Sequence, residues 1–349
     1  MNEGFSLAGM PGRSAFTSKT MRWLVAFGVL AGCAWVVMRF AGVDARTLLA
    51  EFKTIYKAIL PESVRHVIWV QKEFCFSPLT WLVLAGVFWL ERVIPAHRTQ
   101  RVWSSGLGQD ALWFMVDFLF QIMLVQLWVG LLQSFYNAHL SFLTVRAVSA
   151  WPLLARLLCS LIAVDFLAWL NHYIRHRVDV FWYFHMVHHS QRQLNVFTDG
   201  RVHPVEYLIT RTIVALPVFM FQFGFSGVVW LGILTTWYAR VYHANLKTNY
   251  GPLKYFMVTP QSHRIHHSIE PRHWNKNFSV LFTVWDRLFG TLYANYDEYP
   301  ATGVVGVPIP LEESRQPWAV VHTYVVQWFV PFRLAGESVA GGLRRVDGQ

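Results

Sequence analysis

Long apolar runs separated by short basic stretches dominate this chain. Runs at about 22–41, 76–91, 111–135 and 150–170 each approach or exceed the ~20 residues that a helix needs to cross a bilayer. A fifth region, 207–241, is apolar for nearly twice that length and is interrupted near its middle by "FQFGFSGVV". It predicts a helical hairpin. A last run, "WAVVHTYVVQWFVPF" at 318–332, holds Pro331 and follows a polar, Pro-rich stretch, so it is expected to lie in the membrane interface as an amphipathic segment. The pattern predicts an all-α, multi-pass helical membrane protein.

Composition agrees. Of the 349 residues 54% are apolar and only 14% charged, with 17 Trp and 27 Phe, as expected of a surface that faces lipid. The net charge of +10 belongs to loops. Arg13, Lys19 and Arg22 precede the first run, and Arg92, Arg98 and Arg101 follow the second. Arg175, Arg177, Arg192 and Arg201 follow the fourth, and Arg240, Lys247 and Lys254 follow the hairpin. All fall on one side if the first four runs cross and the hairpin returns. The excess of Arg and Lys marks that side as cytoplasmic. Residues 44–73, mixed in charge, fall on the other side and fit an interfacial helix. No zinc finger or basic arm points to nucleic acid. Cys33, Cys75 and Cys159 form no C-x-x-C, which argues against a disulfide framework or thiolate metal site. The N-terminus carries Glu3 and polar residues where the core of a signal peptide would begin, so the first run is expected to remain as a span.

The chemistry lies in the histidines. "FWYFHMVHHS" places His185, His188 and His189 as H-x-x-H-H, and "SHRIHHS" repeats the spacing with His263, His266 and His267. In "DFLAWLNHYIRHRVD", His172 and His176 stand four apart, on one helix face, where a metal fits between two imidazoles. The predicted topology gathers these stretches on the cytoplasmic face. Eight imidazoles exceed what one ion takes and suit two. An imidazole shell with no acid among it fits Zn, Cu, Fe or Ni by ligand type. His243 in "VYHANLKTNYG" is a ninth candidate. His203 in "GRVHPVEY" is read either as a ligand or as a hydrogen-bond partner of Glu206, and His273 as a loop residue or a substrate contact. His66, His97, His139 and His322 stand alone and are read as non-ligands. Asp165, a carboxylate inside the fourth apolar run, is costly there without a partner. It is read as a site residue, the acceptor that orients a ligand imidazole, in preference to a salt bridge with Arg175. The aromatic residues of "FWYF" (181–184), with Trp237, Tyr238 and Tyr242, could line a lipid slot, but most are read as interfacial belt residues.

In order, "HYIRH", "HMVHH", "RVHPVE", "HAN" and "TPQSHRIHH", followed by "NKNFSVLFTVWDRLFGT", resemble the fatty acid hydroxylase superfamily, which includes sterol desaturases and alkylglycerol monooxygenase. The resemblance covers about residues 160–295. It implies a di-iron centre held by His172, His176, His185, His188, His189, His243, His263, His266 and His267, with His203 a possible tenth. It also implies O₂ as co-substrate and attack on a C–H bond of a membrane lipid, by hydroxylation or desaturation. The domains expected are 1–150, a transmembrane region of unassigned role; 151–297, the catalytic domain; and 298–349, a tail with the interfacial segment. No haem, ferredoxin or dinucleotide pattern is visible, so electrons are expected from a separate donor. Two rival readings use the same imidazoles: a zinc-dependent membrane hydrolase, which lacks an H-E-x-x-H, and a metal transporter, which lacks a polar path through its spans.

Overall fold

The computed structural model describes Trp69 and residues 76–339, apart from 102, 121–124, 223–224, 307–308 and 310–315. The first apolar run, 22–41, and almost all of the mixed-charge stretch at 44–73 lie outside the described residues. Among the described residues the architecture is helical, with isolated β-bridges and no strand.

Two helices precede the histidines. Helix α1, Pro78–Val93, starts with proline at its first turn, where the missing N–H costs nothing, and has Arg92 in its last turn. Helix α2 is Ser105–Phe120. Helix α3, Gln126–Phe135, continues into a π-helical turn at Tyr136–Leu140.

Helix α4, Leu153–Arg177, extends seven residues past the predicted end of the fourth run and carries His172 and His176 in its last turns. A single extended residue, Val178, ends α4 and begins α5, Asp179–His189. The two histidine-bearing helices thus meet at one corner. The fifth region holds two helices, α6, Pro204–Phe221, and α7, Phe225–His243. Helix α6 stops at Gln222, whose left-handed φ of 48° falls inside the predicted break. Of the described helices, α4 and α6 are long and apolar enough to cross a bilayer. Along α4, Leu154, Leu158 and Ile162 leave an exposed apolar stripe.

The region after α7 is compact and polar-bonded. Helix α8, Pro260–His266, opens with a reciprocal capping box between Thr259 and Ser262 and with Pro260 in its first turn. Helix α9 is Val284–Leu288 and α10 is Pro317–Val339, running through Pro331. The predicted interfacial run is the core of α10. Its inner face, Val326, Val330 and Leu334, packs with Trp182, Tyr183, Met186 and Val187 of α5. The "FWYF" aromatics are consequently not belt residues: Trp182, Tyr183 and Phe184 are buried.

Candidate metal centre

The nine principal histidines converge into two groups. His172, His176, His185, His189 and His266 form the first; His188, His243, His263 and His267 form the second. Within each, one ring nitrogen per residue lies within 4.8 Å of every other. The division follows helical geometry. In α5, His185 and His189 are four apart and share a face, while His188 is rotated about 100° away and serves the other group. Helix α8 does the reverse: His263 and His267 serve the second group and His266 the first. Each H-x-x-H-H therefore straddles both groups.

Backbone and one carboxylate fix the rings. Nδ1 of His172 donates to the carbonyl of Phe278 at 2.8 Å, Nδ1 of His266 to that of Lys276 at 2.9 Å, and Nδ1 of His243 to that of Ala239 at 2.7 Å. His185 Nδ1 meets Glu206 Oε1 at 3.0 Å. A ring that donates from Nδ1 keeps the lone pair on Nε2. The Nε2 atoms of His172, His185 and His266 are buried without a hydrogen-bond partner, as are both ring nitrogens of His176 and His189.

The second group makes the same point. Nε2 of His243 lies 3.1 Å from Nε2 of His188 and 2.7 Å from Nε2 of His263, and Nε2 of His267 lies 3.0 Å from that of His263. One lone pair on His243 cannot serve two ring nitrogens by hydrogen bonding. A shared cation satisfies all four. Orphaned buried nitrogens and converging lone pairs fit metal ions at both groups. Burial, reinforced by neighbouring imidazoles, holds His188, His189, His263 and His267 well below the ordinary histidine pKa, and burial brings His266 down to about 4. Neutral imidazoles are what a metal needs.

His203 is not brought to either group. Its Nδ1 accepts from Val205 N at 3.2 Å, capping α6, and its Nε2 donates to the Trp328 carbonyl at 3.1 Å. The Glu206 carboxylate, paired with Arg175 and His185, does not bond the His203 ring; only the Glu206 backbone N–H reaches the His203 carbonyl, at 2.9 Å. Asp165 touches no histidine and no arginine. It accepts from Leu281 N at 3.0 Å, Phe282 N at 3.2 Å and Trp285 Nε1 at 2.8 Å, so it holds the segment after Phe278 and orients no imidazole directly. His273 bonds Ser268 and Glu298, away from both groups.

Two carboxylates escaped the sequence reading. Asp110 of α2, fully buried, accepts from Gln191 Nε2 at 2.6 Å, Asn195 Nδ2 and Thr198 Oγ1 at 2.7 Å, and Arg201 Nε at 2.6 Å. It organises the loop that leaves His189. Gly200 in that loop approaches α2 so closely that a Cβ would stand 2.9 Å from Phe114 Cα. Glu91 of α1 accepts from Val196 N at 3.0 Å and from Asn245 N at 2.9 Å, tying the same loop to the turn after His243. The available signal was weaker than for Asp165: an acid at the edge of an apolar run, not inside one.

Residues 157–291 match the fatty acid hydroxylase family. This part of the chain is similar to a fatty acid hydroxylase domain. The chain is 29% identical over 143 residues to an ornithine lipid hydroxylase of Rhizobium tropici, covering 41% of this chain and 43% of that one. It is 28% identical over 147 residues to an alkylglycerol monooxygenase of Homo sapiens, covering 39% and 30%. To a very-long-chain aldehyde decarbonylase of Oryza sativa subsp. indica it is 26% identical over 261 residues, covering 66% and 40%. The match thus spans less than half the length of each of these relatives. No solved structure matches. Both histidine groups lie within the matched residues, whereas Glu91, Asp110 and α10, which brace them, lie outside.

Proposed function

We propose that the protein is a membrane di-iron oxygenase that uses O₂ to hydroxylate or desaturate a C–H bond of a lipid, whether sterol, fatty acyl or ether lipid. The observation that carries this reading is the paired arrangement of five and four buried imidazoles with lone pairs turned inward. His172, His176, His185, His189 and His266 would hold one iron, and His188, His243, His263 and His267 the other. Iron there would supply the redox chemistry that O₂ activation and cleavage of an unactivated C–H bond require. The chain's part is to orient and to shield. The carbonyls of Phe278, Lys276 and Ala239 hold protons on Nδ1 and so present Nε2. Glu206 does the same for His185 while its charge is balanced by Arg175. Trp182 covers the first group from outside, with its ring 5.0 Å from that of His176 and 5.4 Å from that of His189. Phe278 covers it from another side, 5.0 Å from His176.

The relatives' names, hydroxylase and monooxygenase of lipids, support the reaction class. A hydrolase would need a free carboxylate base at the metals. Glu206 is engaged with Arg175 and His185, and Asp199, 3.8 Å from Nδ1 of His243, lies 3.9 Å from Arg240 Nε. The protein isolated aerobically without chelator is expected to carry about two irons per chain, as nine ligands in two groups suit two ions. It is also expected to consume O₂ when given membrane lipid and a reductant. Active enzyme with stoichiometric zinc and no iron would overturn the reading.

The orientation is part of the proposal. Arg98, Arg192 and Lys247 are exposed around the site, and Ala138 is exposed beyond α3. Cysteine labels at the first three positions are expected to react from the cytoplasm and one at Ala138 from the opposite side. The reverse pattern would invert the topology. A separate one-electron donor completes the system.

A further inference from the structure

Asp165 sits midway along the 25-residue α4, about 18 Å from its Arg177 end at a helical rise of 1.5 Å per residue. A carboxylate at that level of a membrane-length helix needs donors, and it receives them from the backbone of Leu281 and Phe282 and the indole of Trp285. The segment after Phe278 therefore descends along α4 to its middle. Ring contacts continue the seam: Phe166 lies 5.0 Å from Trp285, and Trp169 lies 4.4 Å from Phe289. Asp286 then closes the turn, accepting from Trp169 Nε1 at 3.1 Å and from the backbone N–H of Phe278 and Ser279 at 2.9 Å.

The turn does not descend alone. Thr283 N donates to the carbonyl of Phe256, and Val258 N to that of Leu281, both at 3.0 Å, so the short 3₁₀ turn Gly251–Tyr255 and the residue after it lie alongside. The outer faces of both are apolar. Leu253, Phe256, Val284, Leu288 and Phe289 are between 49% and 68% exposed. Neither element is long enough to span anything, and a soluble surface does not gather five such side chains on two touching turns without a partner. The exposed stripe of α4, Leu154, Leu158 and Ile162, leads up to Phe166, where the descending segment begins to cover the helix. The two apolar surfaces are continuous. Two cations lie within these turns: Lys254, over the rings of Tyr255 and Tyr296, and the exposed Arg287, next to Leu288.

We propose that residues 251–256 and 281–289 form a wedge that enters the bilayer beside α4, with Leu253, Phe256, Val284, Leu288 and Phe289 among the acyl chains. The proposal rests on the reading of α4 as a membrane span. It gives the wedge a place in the reaction: Phe278, at its root, holds the His172 ring through its carbonyl. The bilayer surface and the first histidine group are then joined by one short stretch of chain.

The test uses the full chain in phosphatidylcholine vesicles, with its native cysteines replaced and an environment-sensitive fluorophore on one introduced cysteine. Leu288→Cys, Phe256→Cys and Val284→Cys probe the wedge. Leu158→Cys is the reference on α4, and Ala301→Cys, exposed on the cap, is the aqueous reference. Only variants that retain wild-type metal content are compared. Wedge labels are expected to be quenched by lipid-attached spin labels to at least half the extent of Leu158→Cys, and several-fold less than Ala301→Cys by aqueous iodide. If they follow Ala301→Cys while Leu158→Cys follows the lipid, the wedge is wrong and the span stands. If Leu158→Cys is itself quenched by iodide, the span reading fails and the wedge with it. Labels shielded from both quenchers, with Phe256→Cys cross-linking between chains, would replace the bilayer by a second copy of this chain.

Discussion

At the scale of single residues, the centre depends on which ring nitrogen carries the proton. Three imidazoles are set by backbone carbonyls, which substitution of their own side chains leaves intact, and one by a carboxylate that mutation can reach. Glu206→Gln keeps the shape but removes the charge shared by His185 and Arg175. Losses of this kind cost ~10–100-fold in metal affinity or activity, and metal titration should show that weakening with retained fold. An unchanged metal affinity would show that His185 needs no acceptor. The imidazoles also set a pH dependence. His188, His189, His263, His266 and His267 are held neutral in the folded chain, His266 until about pH 4, while in the unfolded chain each takes a proton near 6.5. A depressed histidine pKa means that the unfolded state binds more protons at acid pH. The metal-free protein should therefore keep its stability above about pH 6.5 and lose up to ~1.4 kcal/mol per pH unit for each such group below it. Thermal unfolding of chelator-treated protein between pH 8 and 5 measures this, and a midpoint flat across that range would contradict it.

At the scale of elements, the histidine spacing announced which residues meet but not how they divide. The i, i+4 pairs His172/His176, His185/His189 and His263/His267 each stay together, as one helix face requires. The odd member of each triplet leaves for the other group, and that follows only from how α5 and α8 face one another. The same limit applies to Asp165. Its burial in an apolar run is evident from sequence, but its partners lie more than 110 residues away in a turn of irregular backbone. His203 illustrates the converse: a motif position whose ring is wholly occupied in capping a helix. These two carboxylates make separable predictions. Asp110→Asn opposes an amide to several N–H donors and leaves the buried Arg201 charge without its ion pair. Breaking a buried pair costs ~3–5 kcal/mol, and because its loop leaves His189 and adjoins the turn after His243, metal should be lost from both groups. Asp165→Asn removes the charge from a site that bonds uncharged donors, so it should cost less, about 1–3 kcal/mol. It should weaken mainly the first group, where Phe278 holds His172. Unfolding free energies with metal stoichiometry on both variants test the ordering, and equal loss from Asp165→Asn would place that residue nearer the centre than its contacts do.

At the scale of the whole molecule, the histidine-bearing region is braced by residues outside 157–291. Glu91 and Asp110 reach in from helices before it, and α10 after it buries Val326, Val330 and Leu334 against the helix that carries His185, His188 and His189. The histidines are drawn from α4, α5, α7 and α8, and the proposed metals would add to the hydrogen bonds, such as Arg264 to Asn245, that tie α8 to its neighbours. Helices α4 and α6 are long enough to be stabilised by a bilayer whether or not metal is bound. The stretch from Pro260 to Thr302 has no helix longer than seven residues and relies on caps, turns and side-chain bonds. Metal that binds only the folded chain stabilises it by RT ln(1 + [L]/Kd), about 2.7 kcal/mol at a hundredfold excess over Kd. Removal of the metal should therefore act unevenly. Hydrogen exchange on the protein in lipid, with and without chelator, is expected to lose protection first across 260–302 and at the end of α7, while α4 and α6 stay protected. Uniform loss over all four ligand-bearing helices would mean that the metals hold the membrane helices together as well. Protection that does not change at all would mean that the bilayer and the bracing from α1, α2 and α10 hold the histidines in place, and that metal arrives in a site already formed.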